Sequence, residues 1–82
     1  MTRMRALRVR EGRSLDGVAF VSGLDKATIS RIERCLVKPR RETVLRLAKG
    51  LRTNHRRVWE LWEADWADKV LAEHDEAKEP VA

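Results

Sequence analysis

The stretch Ser14-Leu15-Asp16-Gly17-Val18-Ala19-Phe20-Val21-Ser22-Gly23-Leu24-Asp25-Lys26-Ala27-Thr28-Ile29-Ser30-Arg31-Ile32-Glu33 decides how the whole chain is read. Ser14 is a good N-cap, and Asp16 sets a negative charge in the turn behind it, where the helix dipole is positive. Leu15, Val18 and Ala19 have the i, i+3, i+4 spacing of a buried helical face. Gly17 is an odd choice inside that helix and costs about 1 kcal/mol relative to Ala. Ser22-Gly23 marks a turn. Asp25 then caps a second short segment, Lys26 to Glu33, in which Ile29 and Ile32 point inward. Lys26, Ala27, Ser30 and Arg31 are left to point outward.

Two short helices around a tight Gly-containing turn form a helix-turn-helix pattern. Before it, Thr2 to Glu11 reads as a helix capped by Thr2, with Met4 and Leu7 at helical spacing, and Gly12 stops it. After it, Cys35 to Pro39 is a loop. Arg40 to Leu51 reads as a fourth helix with Val44, Leu47, Ala48 and Leu51 as its apolar stripe. Thr53 or Asn54 caps a fifth helix with no breaker from His55 to Glu79, and Pro80 ends any helix. A helix from His55 to Ala77 spans about 34 Å. Asp65 and Lys69 stand one turn apart and are expected to pair. Glu73 to Ala82 has little to bury and is expected to fray. With five helical segments and no strand run, the expected fold is all-α. The expected organisation is a compact domain over residues 1–61, an extension of the last helix over 62–79 and a tail at 80–82.

The formal charge of +5 averages two unlike parts. Residues 1–57 carry thirteen Arg and three Lys against five acids, whereas residues 58–82 carry two Lys against eight acids. Arginine makes bidentate contacts to phosphate and to guanine edges that lysine cannot copy, so the first part points to a polyanion partner. The acidic end repels nucleic acid and faces protein or solvent. Uncharged runs fall far short of the roughly 20 apolar residues of a membrane span, and no apolar segment follows the basic start as in a secretory signal. The one cysteine, Cys35, cannot form an internal disulfide, and its spacing to His55 and His74 resembles no zinc site. No catalytic residue, cofactor or metal is expected. The chain reads as a cytoplasmic, non-enzymatic protein, associated with the nucleoid through DNA.

Leu7-Arg8, the run Gly12-x-Ser14-Leu15-x-x-Val18-Ala19, the run Gly23 to Glu33, and Pro39 with Thr43-Val44-Leu45-x-Leu47-Ala48-x-x-Leu51 occur together at set distances. In these residues the chain, from 7 to 51, resembles the lambda-repressor-like helix-turn-helix family, also called the Xre or Cro/C1-type family. The resemblance implies a compact five-helix domain whose third helix enters the major groove of double-stranded DNA. It implies a regulator of transcription, mostly dimeric. Three departures stand out. Cys35 occupies a position where the family usually has Gly for a left-handed cap, which costs strain or requires a different loop. Phe20 stands where a polar residue is common, as a core or interface ring. The last helix runs well past the family's usual fifth helix.

The same resemblance implies roles for individual residues. Arg8 and Glu33 match a partly buried ion pair that orients the recognition helix and leaves Arg8 able to help at a phosphate. Lys26, Ala27 and Arg31 match the base-reading positions, with Thr28 at their edge. Lys26 or Arg31 would donate to guanine, and the methyl groups of Ala27 or Thr28 would touch thymine. Arg40 and Arg41 before the fourth helix, and Arg13 and Ser14 before the second, are candidate phosphate contacts, as are Arg10, Arg34 and Lys38. Arg3 and Arg5 extend that set.

Trp59, Trp62, Trp66 and Val70 step along the last helix by 3, 4 and 4 residues. Trp59, Val58 and Leu61 are expected on the domain. Trp62, Trp66, Val70 and Leu71 are expected beyond it, as a two-fold homodimer surface or a partner surface. The leading functional expectation is a small dimeric repressor on an inverted repeat. The alternatives are an antitoxin or RNA polymerase-binding protein working through the C-terminal helix, with a toxin or the polymerase as partner, and an excisionase-like DNA-binding factor.

Overall fold

A computed structural model describes residues 1–77. The elements are α1 (Arg3–Arg10), α2 (Leu15–Ser22), α3 (Lys26–Glu33), α4 (Arg41–Gly50) and α5 (His55–Ala77), and the described residues contain no strand. The fold is thus the expected all-α, five-helix one. Each of four helices starts on a side-chain cap that accepts a backbone N–H. Thr2 takes the amide of Arg5 at 3.3 Å, Ser14 that of Gly17 at 3.0 Å, Asp25 that of Thr28 at 2.7 Å and Asn54 that of Arg57 at 2.8 Å. Asn54, not Thr53, therefore caps α5.

The core is the sum of the inward stripes. Met4, Val18, Ile29, Ile32, Val44, Leu47, Leu51 and Val58 are all fully buried. Helix α2 lies against α4, and α5 against both α4 and α1. Gly50 fixes how closely α2 and α4 approach. A Cβ there would stand 2.9 Å from Val18 Cγ1 and 3.1 Å from the Val18 carbonyl oxygen. Only glycine admits that contact without a shift.

Helix α3 ends in a left-handed cap. The Cys35 amide donates to the Ile32 carbonyl at 3.1 Å and the Leu36 amide to the Arg31 carbonyl at 2.9 Å, with Cys35 at φ 55°. This is the pairing of a Schellman motif. The loop keeps that geometry with a cysteine at the left-handed position, at a strain of about 1–2 kcal/mol. The thiol is buried, which offsets part of it. Phe20, by contrast, is 90% exposed on α2 and is no part of the core.

The structure corrects the expectations for α5 in two places. Asp65 does not pair with Lys69. Its buried carboxylate accepts the amides of Arg3 (2.9 Å) and Met4 (3.2 Å) and the Arg3 guanidinium at 3.2 Å, so it closes the start of α1 from 62 residues away. Lys69 instead donates to the Cys35 carbonyl at 3.0 Å and lies 5.6 Å from the Trp66 ring centre. Trp62, expected on an outer surface, is buried at 5% exposure. It meets Trp59 edge-on at 6.3 Å and stacks on Trp66 at 5.6 Å. What remains open is Trp66 at 44%, Val70 at 41% and Leu71 at 59%. The helix continues through Ala77, past the residue where fraying was expected to start, while the tail at 80–82 lies outside the described residues.

Gly50→Ala tests the closest approach in the fold. Ala is the better helix former by about 1 kcal/mol, but the added methyl overpacks α2, so a net loss of about 1–2 kcal/mol is expected from overpacking. The check is the urea midpoint by circular dichroism; a raised midpoint contradicts the α2–α4 contact.

Candidate nucleic-acid interface

The interface is built on α3, which has eight residues and cannot hold itself in water. Its inner side is pinned at three points. Ile29 and Ile32 enter the core. Glu33 is 5% exposed and meets Arg8, itself 8% exposed. Arg8 Nε donates to Glu33 Oε2 at 2.5 Å and Nη2 to Oε1 at 3.2 Å, a bidentate fork. The third Arg8 donor, Nη1, goes to the Arg13 carbonyl at 3.0 Å, which ties the loop before α2 to the same pair. Arg8 thus spends three of its five N–H donors inside the domain and is 8% exposed.

The outer side of α3 carries the expected readers. Lys26, Ala27 and Arg31 are exposed, and Thr28 is half-buried. Lys26 Nζ stands 3.0 Å from Asp16 Oδ1 across the turn, an exposed pair of little energetic weight that brings the starts of α2 and α3 together. Arg31 forms no ion pair among the described residues. Thr28 is turned to the helix cap. Its side chain, and then its amide, hold the Asp25 carboxyl below the usual carboxylate range, with the charge of Arg31 adding to the effect.

The other candidates lie on α1, at the starts of α2 and α4 and in the loop after α3. Ser14 caps α2, and the half-buried Arg13 precedes it. Arg40 and Arg41 are exposed at the start of α4, whose first amides receive no side-chain cap, so they remain open to an anion. Arg34 and Arg5 border a shallow cleft with Ser30 and Thr2. Arg10 and Lys38 are exposed. Arg3 forms ion pairs with Asp65 at 3.2 Å and with Asp68 at 2.6 Å on α5. Cys35 lies behind the loop with its thiol pushed to a higher pKa by burial, Asp65 adding and Lys69 opposing. Its Sγ lies 3.8 Å from the Trp62 carbonyl. Among the described residues no group of three His, Cys, Asp or Glu is placed to hold a metal ion, and no helix is long and apolar enough to cross a membrane.

An exposed cationic helix, seated by a buried ion pair and preceded by a short helix and a tight turn, is the arrangement of a helix-turn-helix protein. A family model described as a helix-turn-helix domain matches residues 2–61, and the chain belongs to that family. The match is to the helix-turn-helix domain at large and does not single out the lambda-repressor-like branch. Such a domain is consistent with DNA-binding regulation. Comparison with curated proteins and with solved structures gives no match.

The Arg8–Glu33 pair is open to a double-mutant cycle. Arg8→Met or Glu33→Leu alone strands a buried charge and is expected to lose about 3–5 kcal/mol. The double variant should lose less than the sum of the two. Additive losses in chemical denaturation contradict the pair.

Proposed function

We propose that this chain is a sequence-specific regulator of transcription of the lambda-repressor-like type, a dimer that represses by occupying an inverted repeat in promoter DNA. The observation that carries the proposal is the division of α3 into a side locked to the domain and a cationic side turned out beside the start of α2. On DNA, the backbone contacts come first. Arg13 and Ser14 at α2, Arg40 and Arg41 at α4, and Arg10, Arg34 and Lys38 around them meet phosphates, which fixes register and sets affinity without choosing a sequence. Helix α3 then lies in the major groove. Arg31 offers its fork to guanine O6 and N7. Lys26 exchanges Asp16 for a base edge, and Ala27 presents a methyl to thymine. Thr28, engaged at the cap, contributes through its methyl. A two-fold dimer sets two such helices one DNA turn apart, about 34 Å. The exposed Trp66, Val70 and Leu71 support the dimer. No chemistry and no cofactor enters. The protein works where the DNA is, in the nucleoid.

Selection of bound duplexes from a random pool, at low and at moderate salt, tests the proposal. An inverted repeat should be enriched and survive the higher salt. On the selected duplex, Lys26→Ala and Arg31→Ala should each relax preference at particular base pairs by about 1–3 kcal/mol. Arg40→Ala and Arg41→Ala should weaken all duplexes alike and lower the salt slope by about 1 each. Unselective binding that vanishes with salt, or four variants with the same uniform loss, refutes it.

A further inference from the structure

A groove of about 900 Å³ runs between the loop that follows α3 and the first half of α5. Leu36, Val37, Trp59 and Trp66 form its apolar lining, and the charged side chains that line it include the bases Lys38 and Arg56 and the acids Glu60 and Glu63. Leu36 and Val37 are 54% and 41% exposed, unusual for two adjacent apolar residues of a loop. Beyond Lys69, α5 leaves the domain and runs on to Ala77, so that the molecule is 51 Å long and only 23 by 20 Å across. That distal half carries Val70 and Leu71 exposed, with Asp68 and Glu73 exposed around them. A helical arm of this length gains little from propensity alone and needs a surface to cover its apolar side.

We infer that the groove takes the distal half of α5 from a second copy of this chain, antiparallel and reciprocally, with the two helices crossing at Trp66. Trp66 belongs both to the groove and to the apolar line of the arm, so the crossing point is shared. Charge sets the direction. In an antiparallel pair about Trp66, residue 70 falls opposite residue 62 and residue 73 opposite residue 59. Val70 then covers the tryptophan floor, and Glu73 reaches Arg56. A parallel pair would set acidic halves side by side. The inference rests on the dimeric proposal above and specifies its surface. It also joins that surface to the DNA-reading face. The groove's other wall is the loop leaving α3 through Cys35, so seating the partner's arm on Leu36 and Val37 holds the end of the recognition helix.

Sedimentation equilibrium of the full chain without DNA tests this. The native chain should be a dimer. Val37→Glu and Val70→Glu should each be monomeric with unchanged far-ultraviolet circular dichroism, since both side chains lie outside the core. Arg56→Glu and Glu73→Arg should each weaken the dimer by about tenfold or more, and the two together should restore it. A native monomer, a dimer indifferent to Val37→Glu, or a double reversal that fails to restore association overturns the inference. A monomer that still selects a specific duplex would overturn the clasp while leaving the DNA-binding proposal standing.

Discussion

Arg8 and Glu33 meet inside the domain, and the position of α3 depends on that meeting. Helix α3 is two turns long, too short to persist alone. Ile29 and Ile32 hold it to the core but allow it to roll. The bidentate fork removes that freedom, because two N–H donors and two carboxylate oxygens align in one orientation only. A buried ion pair adds little net stability over a well-packed apolar pair. Its contribution here is orientation, and it extends to α2 through the Arg13 carbonyl. What α3 turns outward follows from what is fixed inward.

Helix α5 is the second constraint. Asp65 closes the first amides of α1, and Lys69 takes the carbonyl of Cys35 just beyond α3. One helix therefore ties the start of the chain to the end of α3. These contacts consume charges of α5 that composition alone assigns to solvent. They also tie Arg3 to α5. The arginines of the first 57 residues lie before the arm, and exposed acids such as Asp68 and Glu73 lie on it. Attraction for a polyanion and its repulsion are thereby separated along one molecule.

Much of the fold was legible because it is written in local rules. Caps at Thr2, Ser14 and Asp25, the left-handed Gly23 and the apolar spacing of α4 each involve residues within one or two turns of one another. Asp65 was not legible. The nearest base in sequence is Lys69 at i+4, whereas its actual partners are 61 and 62 residues away. Nor was Gly50, whose reason is a neighbouring helix that sequence spacing does not reveal. Trp62 shows the same limit. Its place on an amphipathic line was correct, but how far the domain reaches along that line depends on the Leu36–Lys38 loop and on α1. At the candidate interface the outward positions of α3 followed from Ile29 and Ile32 pointing in. The pairing of Lys26 with Asp16 did not, because Asp16 already had a sufficient local reason at the start of α2.

The central claim is that α3 presents Lys26, Ala27 and Arg31 to DNA from a seat fixed by the domain. Amide chemical-shift mapping on addition of the selected duplex measures it most directly. Large shifts are expected from Lys26 to Glu33 and at the starts of α2 and α4, with Asp65 to Lys69 little changed. Shifts confined to α5, or spread evenly over exposed arginines with α3 silent, would contradict it.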